Sequence, residues 1–268
     1  MIQFVICSEN DQPDHLLAVP ATASFIRPFP AFILGNDRFA AFQYRNQLPS
    51  SYFDPTNASP MTALAKKTFN YVGYFLIVAV ALYALTFFVP GLHDGFLQNK
   101  PLGSLLWRLT FWTHVLLGTV ALVLGPIQFS TRMRSRRPAL HRQLGKVYVV
   151  SILTASVVAF YISWFADSGW IAVTGFACLA VAWFYTTWQA YATVRRGELV
   201  QHQQWMYRSY ALTLAAVTLR IILPLELAAF QLPFPVAYRI VAWLCWVPNL
   251  VVAEWFFVRR KAPVAVRV

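Results

Sequence analysis

Charge is scarce in this chain: Asp, Glu, Lys and Arg make up 12% of its 268 residues, roughly half of what a soluble globular protein carries. A chain of this length ordinarily forms one or two soluble domains, and so few charges cannot cover them. Acids are the scarcest. Of ten Asp and Glu, only five lie after residue 60, which leaves little for carboxylate chemistry. Cysteine is equally thin: Cys7, Cys178 and Cys245 form no C-x-x-C pair, so neither a disulfide framework nor a thiolate zinc site is supported. The patterns G-x-x-x-x-G-K-[ST], H-E-x-x-H, G-x-S-x-G and G-x-G-x-x-G are missing as well, which speaks against hydrolases and nucleotide-driven pumps.

Apolar side chains are what the sequence has in abundance. They make up 58% of the chain, with ten Trp and twenty-two Phe, and the mean hydropathy is +0.52. The expected fold class is all-α, an integral membrane helical bundle. Six runs reach the roughly 20 apolar residues that a helix needs to cross a bilayer; they lie near 69–90, 105–128, 143–166, 170–193, 207–230 and 237–258. The gaps between them are short, so consecutive helices are expected to be antiparallel neighbours.

The net charge of +12 could suggest nucleic acid, but the cations sit in short loops between apolar runs. There they set orientation and meet anionic lipid headgroups. With Lys66 and Lys67 placed in the cytoplasm, fifteen cations fall on the inner side and three (Lys100, Arg108 and Arg239) on the outer. This asymmetry places both ends of the bundle in the cytoplasm, in a cell inner membrane.

Residues 1–60 differ from everything after them. They hold Cys7, His15, five acids and scattered Pro with no sustained period of 2 or 3.6, and they lack the layout of a signal peptide. They are expected to be a start-site artefact or a disordered tail, with Met61 as the initiator of a six-helix domain over 61–268.

Four positions stand out for chemistry. His114, Gly118, Ala121, Gly125 and Gln128 fall on one face of the second span. The glycines there suit close helix packing, or a wall beside a flat cofactor. An imidazole within hydrocarbon is expected to face the bundle interior and find a partner. His141 and His202 each lie at the start of a helix entering from the cytoplasmic side, so they share a depth. The positive end of a helix dipole favours the neutral imidazole, the form that a haem iron binds. Either histidine alone fits an interfacial residue touching headgroups. Met206, Ser209, Thr213, Ala216 and Arg220 extend the face of His202 at helical spacing. Arg220 lies well inside an apolar run, where a lone cation is costly, and the expected partner is an anion, a cofactor carboxylate or a buried acid. Glu226, six residues on, falls on another face. Pro224 cannot donate to the Arg220 carbonyl. Thr186, Thr187, Gln189 and Asn249 suit interhelical hydrogen bonding, and His93 lies in an outer loop within reach of an outward ligand.

The runs HVLLGTVALVLGPIQF, R-x-R-x-x-x-P-x-L-HRQLGKVY and HQQWMYRSYALTLAAVTLR, the last followed by Pro224, resemble the bacterial membrane family catalogued as domain of unknown function 2306. The resemblance covers the second to fifth helices. By position it matches His114, Gly125, Pro126, Gln128, Phe129, His141, Arg142, Gly145, Tyr148, His202, Trp205, Met206, Arg208, Ser209 and Arg220. It implies a multi-pass inner-membrane protein without an assigned activity.

Three functions follow as expectations. The first is haem b binding with a role in membrane electron transfer. His141 and His202 would ligate the iron, while Arg220, Arg142 or Arg208 would pair with propionates; His114 and Gln128 complete the cofactor-binding set. The second is a small-solute transporter with His114 and Arg220 at a midplane site and Pro224 marking a broken helix. The third is an assembly or scaffold protein docking respiratory-chain partners through its basic loops.

Overall fold

The computed structural model describes residues 63–89 and 100–259, and all regular structure among them is helical. Among the described residues nine α-helices follow in order. They are α1 (Ala63–Thr86), α2 (Leu105–Gln128), α3 (Thr131–Arg136), α4 (Pro138–Ser163), α5 (Trp170–Arg195), α6 (Leu199–Thr213), α7 (Ala215–Ala228), α8 (Phe234–Leu244) and α9 (Val247–Ala253). A π-helical turn, Glu254–Val258, ends the series. Residues 1–60, His93 and the tail beyond Arg259 lie outside the described residues.

Among the described residues five helical segments are long and apolar enough to cross a membrane: α2, α4, α5, the joined pair α6–α7 (Leu199–Ala228) and Phe234–Val258. The apolar part of α1, Asn70–Thr86, is shorter than these. The chain is thus a multi-pass membrane protein, embedded in the lipid bilayer. Phe75, Leu82, Leu105, Trp170, Val181 and Phe256 are exposed on the helices, as expected of side chains that face lipid.

Helices α2, α4, α5 and α6 form the centre, each packed on the next, and α6 returns against α2. Helix α1 lies against α2 and α7, while α8 lies against α5 and α7. The core between α2, α4, α5 and α6 is built from Ala121, Tyr148, Ile152, Ala155, Trp183, Ala190, Met206 and Leu212. Small residues bring backbones together where they touch: a Cβ on Gly175 would come within 2.9 Å of the Ala242 carbonyl oxygen.

Two prolines act where the helix is otherwise continuous. Pro126 lies inside α2 and has no N–H to return to the Leu122 carbonyl. The Tyr210 hydroxyl donates to that carbonyl instead, at 3.3 Å. Tyr210→Phe is expected to cost about 1 kcal/mol through the unsatisfied carbonyl, read as a lower melting temperature of the detergent-solubilised protein. Pro224 lies inside α7, so the expectation that it marks a broken helix is corrected. The chain breaks ten residues earlier, at Leu214 between α6 and α7. Two hydroxyls bond back to their own helix there, Thr213 to the Ser209 carbonyl at 3.0 Å and Thr218 to the Leu214 carbonyl at 3.2 Å, a pattern that bends helices.

The last span breaks too, between α8 and α9, with Pro248 in the first turn of α9. Asn249 joins the two breaks. Its side-chain NH2 donates to the Ala211 carbonyl (3.3 Å) and the Cys245 carbonyl (3.0 Å), and its amide oxygen accepts from the Thr218 hydroxyl (3.2 Å). Carbonyls near both interruptions are thereby satisfied without water, as the bilayer interior requires.

Candidate functional site

The residues singled out from sequence sort into two groups and one exception. The first group sits at the end of the bundle that carries the Arg-rich α3. His202, in the first turns of α6, donates from Nδ1 to the Ala190 carbonyl of α5 at 2.7 Å. A carbonyl can only accept, so the Nδ1 atom carries the proton and Nε2 keeps its lone pair. The α6 entrance is set by Arg196 and Glu198, whose side chains meet at 2.7 and 3.0 Å. This fork holds the exposed Glu198 carboxyl below its usual range.

His141 lies in the first turns of α4, which begins on Pro138. It stands within electrostatic reach of His202, Arg134 and Arg142. Gln128, buried at the end of α2, holds it. With its amide oriented to satisfy its neighbours, the NH2 donates to His141 Nδ1 (2.9 Å) and to the His141 carbonyl (3.2 Å), and the amide oxygen accepts from the Gly145 N–H (3.2 Å). This orientation puts the His141 proton on Nε2. The two imidazoles are therefore complementary, one offering a lone pair and the other an N–H. Arg134 reaches the electrostatic field of both histidines. Sequence reasoning passed it over as one of several loop cations, because the short helix α3 that returns it to the site has no hydrophobic pattern to announce it.

Toward the middle of the bundle a set of hydroxyls knits three helices. Tyr148 of α4 meets Ser209 of α6 at 3.1 Å, Ser209 meets Thr187 of α5 at 2.7 Å, and the Trp183 indole N–H donates to Thr213 at 3.0 Å. Ser209 and Thr187 are fully buried.

The second group lies beyond this layer. His114 donates from Nδ1 to the Ala155 carbonyl at 3.2 Å, and its ring stands edge-on to Trp183. It therefore faces the interior, as expected. Arg220 is within electrostatic reach of His114. Its guanidinium lies over the Tyr83 ring at 5.3 Å and donates from one terminal nitrogen to the Ala216 carbonyl at 2.9 Å. Arg220 keeps company with His114.

The exception is Arg208. It forms a two-pronged pair with Glu254 of the π-helical turn, at 2.9 and 3.0 Å, and lies over the Trp205 ring. The guanidinium that the sequence offers to a propionate is occupied by the Glu254 carboxylate in this structure. Six residues from His202, it also falls on another helical face, which the spacing alone could have revealed.

Residues 111–257 match the family model described as "Predicted membrane protein (DUF2306)". The chain belongs to this family. The match runs from the turn before His114 to the π-helical turn that holds Glu254, so both residue groups lie within the family's domain. No curated protein and no solved structure matches the chain. In this DUF2306 member no cluster of three or more His, Cys, Asp or Glu able to hold a metal ion occurs among the described residues.

Proposed function

We propose that this protein binds haem b at the Arg-rich end of the bundle and passes electrons within the membrane. The observation that carries the reading is the His202 imidazole, its Nδ1 proton committed to the Ala190 carbonyl at 2.7 Å. A backbone acceptor behind a histidine fixes its tautomer and aims the other nitrogen, the usual support of a ligating imidazole. The donor chemistry of the surrounding residues fits haem in a second respect. Arg134 and Arg142 supply guanidinium groups beside the histidines, suited to two propionates. His141 has its Nδ1 lone pair engaged by the Gln128 NH2 and its proton on Nε2, so His202 is the histidine on which the reading rests. When bound, the iron supplies one-electron redox chemistry. The chain's part is to hold it, neutralise its carboxylates and keep water away.

On this reading His202→Ala loses haem from the purified protein. His202→Asn loses it equally, since the asparagine amide offers no aromatic nitrogen lone pair. Pigment content per mole of protein checks this; a variant that keeps full pigment rules His202 out as a ligand. Lys and Arg asymmetry supports an inner membrane with the Arg-rich end in the cytoplasm, where respiratory-chain proteins are the partners of such a carrier.

A second reading, a small-solute carrier, is favoured by one observation. The breaks at Leu214 and before α9 meet at Asn249, and paired helix interruptions mark the substrate sites of many transporters. Colourless protein that catalyses solute flux in proteoliposomes would decide for it.

A further inference from the structure

Arg220 presents a charge that the described chain does not neutralise. Its Nε–H is buried without a hydrogen-bond partner. Three of the four acids among the described residues are already paired: Asp167 with Lys100, Glu198 with Arg196 and Glu254 with Arg208. The fourth, Glu226, lies six residues further along α7 on another face, and its Oε2 has no partner either. A guanidinium in a water-poor interior that is left with an idle N–H costs several kcal/mol, and a membrane helix retains one where something binds it.

The neighbours of Arg220 are suited to an organic ligand. The Tyr83 ring lies under the guanidinium. His114 is within electrostatic reach of it, its Nδ1 committed to the Ala155 carbonyl. One turn from His114, a Cβ on Gly118 would meet nothing within 4 Å, so the wall of α2 beside the imidazole opens onto space. Close packing of helices does not account for this glycine.

We propose that Arg220 and His114 form a carboxylate-binding site, separate from the histidine pair at the Arg-rich end. The carboxylate accepts from the free Nε–H of Arg220, and the remainder of the ligand occupies the space beside His114 and Gly118. His141 and His114 lie on neighbouring helices. Fourteen residues of α4 separate His141 from Ala155, the partner of His114, which at 1.5 Å per residue is about 20 Å along the bundle. The site is therefore distinct in depth. Its carboxylate comes either from a small organic acid in solution or from an amphiphile in the bilayer.

The test uses the full-length protein in detergent, with melting temperature read against benzoate from solution in one arm and oleate added to the micelles in the other, at constant ionic strength. At least one acid is expected to give a saturable rise, and the responding arm identifies the source. In Arg220→Gln the apparent affinity falls at least about tenfold, and His114→Asn weakens it as well. Arg220→Lys keeps the charge but loses the fork, so it decides the matter if the glutamine variant fails to fold; a similar loss is expected. His202→Ala retains the response, which separates this site from the haem reading, and Arg220→Gln retains its full pigment. No saturable rise with either acid overturns the site and places the counter-ion of Arg220 elsewhere in the chain. An unchanged affinity in Arg220→Lys or Arg220→Gln overturns it too, and loss of pigment in Arg220→Gln assigns the guanidinium to haem instead.

Discussion

Gly125→Ala is expected to destabilise the bundle by about 1–3 kcal/mol, and Gly125→Leu to prevent its accumulation in the membrane. A Cβ at position 125 would lie 2.8 Å or closer to Cδ2, Cε2 and Cζ of Tyr210, well inside van der Waals contact. The ring has little freedom to retreat. It packs against Phe129 at a centroid distance of 5.5 Å, and its hydroxyl is tied to the Leu122 carbonyl. Sequence supplies both halves of this fit on α2: Pro126 frees the carbonyl, and Gly125 admits the ring that satisfies it. Thermal melts of Gly125→Ala, Tyr210→Ala and the double variant check the account. The double variant is expected to be more stable than the two single losses add up to, with a coupling of about 0.5–3 kcal/mol. Strict additivity would mean that the glycine serves something other than this ring.

Asn249→Leu is the second large loss. It removes the donors to the Ala211 and Cys245 carbonyls and the acceptor of the Thr218 hydroxyl in one step. Each group left bare in a water-poor interior carries a penalty, and together they are expected to cost about 1–3 kcal/mol. Thr174→Val is the control. That exposed hydroxyl bonds only to carbonyls of its own helix, at 2.8 and 3.1 Å, and its loss is expected to stay within about 0.5 kcal/mol. Equal melting temperatures for the two variants would show that the interruptions at Leu214 and before α9 are stable without the asparagine.

These examples indicate which parts of the structure are legible in the sequence. Hydropathy locates the long spans, because about 20 apolar residues have no other stable environment. It misjudges where some of them start: α4 begins at Pro138 and α6 at Leu199, ahead of the apolar runs, since polar first turns can be helical too. Interruptions are harder to read. Pro224 looks like a break and is not one, whereas Leu214 looks unremarkable and is one. The hydroxyls that bond back to the helix there, Thr213 and Thr218, and the asparagine on another span that meets it have no distinctive local signature.

The candidate site divides in the same way. The inward orientation of His114, and the seating of His141 and His202 in the first turns of their helices, follow from the cost of leaving an imidazole among lipid tails and from topology. Gln128 follows from its place on the His114 face. Arg134 does not, because its position depends on the turn between α2 and α4. The spacing sets Arg220 on the face of His202, whereas in the structure it lies within electrostatic reach of His114, a proximity between spans that spacing along one helix does not carry.

The most direct test of the central claim is the absorption spectrum of the full-length protein, extracted from haem-replete cells, before and after dithionite. A Soret band that sharpens and shifts on reduction, with visible bands appearing beside it and all of them missing from His202→Ala, is the predicted result. A featureless visible spectrum in both states would contradict haem binding, while leaving the membrane bundle and the separate Arg220 site standing.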